Sequence, residues 1–317
     1  MKLLSAKFAV IFALLFVLVS ASTADPAATQ LLSMGRMNDA LLALNSHGDA
    51  ESLNQLSRVY YAMEQWDEAV KYGERGVQLD PGDAMYHLWL AREYGRKAAD
   101  SSPFAAAGLA RKAKNEFERA VQFDPTNIPA RVDLAEYYTE APAIMGGGLD
   151  KARAQAAQVQ KLDPGMAHLI LARVAAKEKQ YDKAEDEFRA AVKQAKNRAD
   201  MWLQLAAFYR QQNRLEEMQM AVQSAIAEPN KPAESYFDAG KELYMGGRNL
   251  AGAVQYLQHY LSSGELVESA PAFRAHYLIG ELNQELGNNR VAASEYQASL
   301  ALASGYEPAK KALSRVQ

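Results

Sequence analysis

Apolar and small residues recur along most of the chain at the spacing of amphipathic helices. The segment from Glu51 to Pro81 carries two such stripes, formed by Leu53, Leu56 and Tyr60, then by Ala69, Gly73 and Gly76. An Asp-Pro pair ends the second stripe, and similar pairs recur at Asp124 and Asp163. Proline disfavours helical geometry in the residue before it, so each pair predicts a helix end. We expect two antiparallel helices that approach most closely at their small residues.

The two-helix pattern repeats. Units aligned on a small residue with apolar neighbours begin near Ala50, Ala84, Ile128, Gly165, Ala199, Ala233 and Phe273. The intervals between these positions are 34, 44, 37, 34, 34 and 40 residues. One helix pair of this length cannot bury its apolar face alone, whereas a stack of pairs forms one continuous core. The longer intervals predict inserted loops.

A family resemblance is clearest in the unit from Ala84. Its characteristic residues are Leu90, Ala91, Tyr94, Ala113, Phe117, Ala120 and Pro125. This pattern resembles that of the tetratricopeptide repeat family. The resemblance covers nearly all of residues 25–317 and is weaker in the last two units. The resemblance implies an all-α fold, a right-handed superhelical solenoid of stacked antiparallel helix pairs with a concave side.

The first 24 residues predict export. Two early lysines, an unbroken apolar run and small residues form the pattern of a secretory signal peptide. The run from Phe8 to Val19 has 12 residues, and as a helix it would span about 18 Å of a hydrocarbon core roughly 30 Å thick. Cleavage is expected before Asp25, with a cut before Ser22 and an uncleaved membrane tether as alternatives. No cysteine follows for lipid attachment, so we expect a periplasmic or secreted protein.

The remainder divides into three predicted parts. Residues 25–49 are a degenerate N-terminal half-repeat, and residues 307–317 are a C-terminal capping helix. Residues 50–306 hold about seven repeat units, with insertions at 97–109 and 139–150.

Composition and motifs argue against catalysis. The 35 basic and 38 acidic residues give a net charge of −3, which disfavours a nucleic-acid surface, and the absence of cysteine excludes thiolate chemistry. Nucleophile-elbow, phosphate-loop and dinucleotide-binding motifs are absent from the sequence. His87, His168 and His276 fall at unit position 4, where the resemblance implies packing against a neighbouring helix. We therefore predict no enzymatic activity, no cofactor and no metal site.

The resemblance also implies that unit positions 2, 5, 9 and 12 of each first helix line a partner-binding groove. The candidates are Asn54, Arg58, Tyr61, Leu88, Arg92, Leu169, Arg173, Arg210, Phe237, Lys241, Tyr244 and Tyr277. Tyrosine and arginine are enriched at protein interfaces. Arg58 and Arg92 would hold a carboxylate together, or alternatively form surface salt bridges with Glu51, Asp133 or Glu136.

The two insertions predict an apolar, mobile lip formed by Phe104, Ile144 and Met145. The alternative is a pair of loops without a partner. Gly146–Gly148 predict a flexible loop. The alternative for these glycines is a phosphate-binding loop. We expect a scaffold that binds a protein or peptide in its groove, with no nucleic-acid partner and no stable membrane insertion after cleavage. The alternatives are a small-molecule or enzymatic role under the insertions, and a self-assembling structural spacer.

Overall fold

The computed structural model describes residues 26–196 and 198–317, and within them the chain is helical, with no β-strand. The predicted signal peptide lies outside the described residues. The helices are α1 (Pro26–Ser33), α2 (Met37–Leu44), α3 (Ala50–Ala62), α4 (Trp66–Leu79), α5 (Ala84–Ala99), α6 (Pro103–Phe123), α7 (Ile128–Glu140), α8 (Leu149–Val159), α9 (Pro164–Lys177), α10 (Tyr181–Gln194), α11 (Arg198–Gln211), α12 (Leu215–Ala227), α13 (Glu234–Met245), α14 (Leu250–Ser263), α15 (Ala272–Glu285), α16 (Asn289–Leu302) and α17 (Glu307–Val316).

Consecutive helices pack as antiparallel pairs, from α3 with α4 to α15 with α16, and neighbouring pairs stack on one another. The predicted all-α solenoid of stacked helix pairs is therefore confirmed. Small residues lie at the crossings, as predicted: a Cβ on Gly280 would overlap the ring of Tyr296, and one on Gly240 would come 2.7 Å from Leu257 Cγ. None of the helices within the described ranges is long and apolar enough to cross a membrane.

The Asp-Pro pairs mark helix boundaries in two ways. α4 and α6 end at the residue before such a pair, as predicted. α8 ends at Val159 instead, and Asp163 caps the next helix by accepting a hydrogen bond from Met166 N at 3.1 Å. Proline is well tolerated in the first turn of a helix, which explains why the same dipeptide begins α9.

The insertion at 97–109 is mostly helical, so the prediction of a loop there is wrong. α5 continues to Ala99 and α6 begins at Pro103, leaving a connection of three residues. Proline in the first turn and the following run of alanines both favour a helix. The added residues therefore lengthen the pair α5–α6.

The insertion at 139–150 is a compact turn rather than a flexible glycine loop. It contains a short 3-10 helix, Ala143–Met145, and Gly148 N donates to Tyr138 O at 2.8 Å. A Cβ on Gly147 would overlap Ala141 O. The glycines allow the turn to fold back tightly onto the end of α7.

The two ends of the array meet. Residues 26–44 form two short antiparallel helices rather than half a repeat, and they pack between the first and last units. One buried cluster joins Leu44 of α2, Val59 of α3, Phe273 of α15 and Ala309 of α17. The predicted capping helix thus belongs to a contact between the two ends, and the solenoid closes on itself.

Candidate functional site

The first helices of the pairs carry a continuous belt of polar contacts. Each contact joins one first helix to the next: Arg92 Nε to Asp133 (2.6 Å), Arg173 Nη1 to Glu136 (2.7 Å), Arg173 Nη2 to Gln204 (3.1 Å), Arg210 Nε to Glu242 (2.9 Å) and Tyr244 Oη to Glu281 (3.2 Å). These helices run from α5 to α15. Three arginines of the predicted groove, Arg92, Arg173 and Arg210, therefore bond to acidic and amide side chains of neighbouring first helices.

Arg58 completes the belt on α3. Its guanidinium forms a bidentate ion pair with Glu268, with Nε 2.9 Å from Oε1. Arg58 and Arg92 both lie over the Trp89 ring, each 5.0 Å from its centroid. The two arginines therefore share an aromatic ring rather than a carboxylate. Of the alternative salt bridges, the one between Arg92 and Asp133 forms, whereas Arg58 pairs with a residue far away in the sequence.

Four predicted groove residues are buried and do not line an accessible surface: Asn54, Leu88, Leu169 and Phe237. All four occupy unit position 5. Leu169 and Phe237 share one buried cluster with Leu203, the equivalent residue of the unit between them. Position 5 therefore packs successive first helices together, because in this array they lie side by side.

The remaining predicted residues make contacts other than those of the belt. Tyr61 packs edge-on against Trp66 and Trp89, with ring centroids 5.4 and 5.6 Å away. Lys241 Nζ pairs with Asp238, 2.5 Å away on the same helix. Tyr277 packs against Tyr306, and burial followed by the nearby charge of Glu281 raises the pKa of Tyr277 to about 12.

A cavity of about 530 Å³ lies beside the belt between α7, α9, α10 and α11. Its lining includes Glu136, Thr139, Glu140, Arg173, Ala176, Lys177, Tyr181, Phe188, Gln204, Ala207, Phe208, Gln211 and Gln212. Ala207 occupies unit position 9, where units one to four, six and seven carry Arg, Lys or Glu. This small side chain forms part of the wall of the cavity. The break in the charged series is visible in the sequence and is the signal that could have indicated this site.

The walls of the cavity carry two acidic and two basic side chains, so their net charge is zero. Two parallel ion pairs connect α7 to α9, Glu136 with Arg173 at 2.7 Å and Glu140 with Lys177 at 2.6 Å. Gln211 lies at the rim, and its side chain makes no hydrogen bond to the residues that the structure describes. The cavity therefore offers amide groups beside aromatic rings, with no unbalanced charge.

The residues of the predicted lip belong to different elements. Phe104 is in the first turn of α6 and Ile144 is in the 3-10 helix after α7, and they are 94% and 84% exposed. Gly146 approaches Lys114, which follows Phe104 by ten residues of α6, or about 15 Å along the helix axis. Met145 O accepts a hydrogen bond from Tyr137 Oη at 2.9 Å, which holds the turn against α7.

The position-4 histidines pair with glutamates of the second helix in their own unit. Nδ1 lies 2.5 Å from Glu116 in His87, 2.6 Å from Glu187 in His168 and 2.7 Å from Glu295 in His276. These contacts brace each helix pair. Over residues 26–196 and 198–317, no group of three or more potential ligand side chains is arranged to hold a metal ion.

Comparison with known proteins identifies one unit directly. Residues 50–83, which comprise α3, α4 and the turn that follows, match the sequence model of the tetratricopeptide repeat. None of the curated protein sequences matches the chain.

Three solved structures are similar to it. A chain of the APC/C hetero-tetramer Cut9-Hcn1 is 14% identical, with a TM-score of 0.42 over 92% of this chain and 54% of that one, so the present chain spans about half its length. Yeast Tom70 is 15% identical, with a TM-score of 0.48 over 91% of this chain and 68% of that one. A thermophilic repeat protein from Thermus thermophilus is 21% identical, with a TM-score of 0.45 over 67% of this chain and 99% of that one.

Proposed function

We propose that this chain, a tetratricopeptide-repeat protein, is an exported, non-enzymatic scaffold that binds an extended peptide segment of a protein partner on its inner face. The cavity beside Ala207 is the observation that carries the proposal. Its volume falls within the range of about 300–1,000 Å³ that is usual for ligand sites. It is also the place where unit position 9 carries a small residue instead of a long charged one.

The chemistry of the cavity favours a peptide. Gln204 and Gln211 lie seven residues apart on α11, so they project from the same face about 10 Å apart. Gln204 is held by Arg173 and Asp200, so Gln211 supplies the available amide. An amide side chain both donates and accepts hydrogen bonds, which matches the N–H and C=O groups of an extended backbone. Phe208 and Tyr181 add aromatic surface for an apolar side chain.

A peptide-selection experiment tests this proposal. The purified protein is panned against phage that display linear dodecapeptides with free N-termini, and the affinity of enriched peptides is measured by calorimetry. Ala207→Trp should abolish binding by filling the cavity. The matched control, Ala251→Trp, places the same side chain at an exposed position of α14 and should bind normally. Equal binding by both variants would contradict the assignment of the site.

Export is a separate part of the proposal and rests on the first 24 residues. N-terminal sequencing of protein recovered from cell fractions should find a chain that begins at Asp25 outside the cytoplasm. A chain that retains Met1 in a membrane fraction would support the tether instead.

A further inference from the structure

The contact between the two ends of the array, which we call the closure interface, contains specific polar bonds. Beside the ion pair of Arg58 and Glu268, Arg274 Nη2 lies 2.7 Å from Glu64 and donates to Ala62 O. Both arginines join α3 to the region around the start of α15. More than 200 residues separate the partners in sequence, so this contact closes the array.

Further hydrogen bonds in the closure interface require the two ends of the array to fit closely. Asn38 Nδ2 donates to Ala301 O at 2.9 Å, while Asn38 Oδ1 accepts from both N and Oγ of Ser304, at 2.9 and 2.8 Å. Gln65 donates to Gly305 O at 2.8 Å. A Cβ on Gly35 would overlap the backbone of Ala272. The surfaces that end-to-end assembly would use are thus occupied within one chain.

The number of helices sets the width of the opening. The seven first helices that carry the belt surround it: α3, α5, α7, α9, α11, α13 and α15. At about 9 Å between neighbouring axes they form a ring roughly 20 Å across, measured between axes. Side chains take up about 11 Å of that distance, which leaves an opening of roughly 9 Å. A single extended peptide chain fits through it, whereas a small domain of about 30 Å does not.

We infer that the partner of the proposed peptide site is a segment with a free chain end, which enters the ring end-first. A segment held between two folded domains binds only when the closure interface opens. This inference rests on the proposed function, because it specifies which segments reach the cavity beside Ala207.

The chain has no cysteine, which allows the ring to be locked at one place. In the double variant Asn38→Cys, Ser304→Cys, the two introduced thiols face each other across the closure interface, since the native side chains are in hydrogen-bond contact. A short bis-maleimide joins them. The matched control is the same variant with each thiol blocked separately by N-ethylmaleimide.

The probe is a dodecapeptide enriched in the selection above. It is prepared free, and also joined directly at both ends to ubiquitin. We expect the free peptide to bind the crosslinked and the blocked protein within twofold. The flanked peptide should bind the blocked protein, and at least tenfold more weakly once the ring is crosslinked.

Three results would overturn the inference. The flanked peptide would bind the crosslinked ring as tightly as the free one, or the free peptide would lose binding on crosslinking, or the flanked peptide would fail to bind the blocked protein. If no dodecapeptide binds at all, the proposed function itself is wrong, and that outcome is recognisable before any crosslink is made.

Discussion

Gly73 of α4 lies directly against the carboxyl group of Glu93 on α5, so closely that a Cβ at Gly73 would overlap Glu93 Oε2. Glu93 is completely buried, and neither of its carboxyl oxygens has a hydrogen-bond partner. The nearby Ser57 hydroxyl donates to Asn54 O instead. Burial raises the pKa of Glu93 to about 8, with the proximity of the Ser57 hydroxyl opposing the rise and the charge of Glu74 adding to it. The side chain is therefore a neutral carboxylic acid at pH 7.

Glu93 should make stability depend on pH. Because its pKa is about 8 in the folded protein and about 4.5 otherwise, the folded state binds an extra proton between these values. The free energy of unfolding therefore falls as pH rises through that window, by up to about 1.4 kcal/mol per pH unit. Urea denaturation at pH 5.5, 7 and 8.5 should show this slope, and Glu93→Gln should remove it. Glu140→Gln, at an exposed site, should leave it unchanged.

Gly73 and Gly95 give a matched pair of glycine-to-alanine substitutions. Gly73→Ala should destabilise the protein by about 1–3 kcal/mol, because the new methyl group overlaps Glu93. Gly95→Ala has open space around its Cβ and should stabilise α5 by about 0.5–1 kcal/mol. Both values come from chemical denaturation. Similar effects at the two sites would show that the contact with Glu93 is not tight.

Glu185 should contribute stability that is lost in acid. Although burial opposes its charge, hydrogen bonds from Arg189, Arg214 and Tyr209 lower the pKa of Glu185 to about 2. Its contribution is fully present above about pH 4.5 and disappears as pH falls towards 2. Glu185→Gln should cost about 1–3 kcal/mol at pH 7.

That loss should shrink between pH 4 and pH 2, as followed by thermal unfolding in circular dichroism. Glu216→Gln removes an exposed carboxylate from the start of α12 and serves as the control. An equal loss for Glu185→Gln at pH 7 and pH 2 would contradict the assigned network.

Reversal of the charge of Arg58 should open the ring. Arg58→Glu places a carboxylate against Glu268 and removes the bidentate pair that joins α3 to the last unit. Small-angle scattering should then show a larger radius of gyration. Arg75→Glu makes the same charge change at an exposed position of α4 and should leave the radius unaltered. An unchanged radius in both variants would mean that the apolar part of the interface closes the ring by itself.

The sequence predicts the features that local spacing determines. The small residues at helix crossings and the stacking of pairs follow from local spacing, and residues such as Gly280 and Gly240 lie where that spacing places them. The burial of the side chains at unit position 5 could not be predicted from local spacing. Leu88 and Arg92 belong to one helix, and only the arrangement of neighbouring first helices decides which of them is exposed.

Long-range closure was also invisible in the sequence. Gln65 and Gly305 are 240 residues apart, and their contact depends on the small rotation between units summed over the whole array. The prediction for the insertion at 97–109 is wrong for a different reason. The extra residues predict a loop by their number alone, whereas proline and alanine at 103–107 are good residues with which to begin a helix.

The meeting of the two ends also fixes the copy number of the repeat. In an open array each pair touches only its neighbours, so gene duplication or deletion can lengthen or shorten it without penalty elsewhere. Here, one pair more or less would move Glu268 away from Arg58 and Ser304 away from Asn38. This chain should therefore vary by substitution within its units and by growth of the turns between them, and not by gain or loss of whole units.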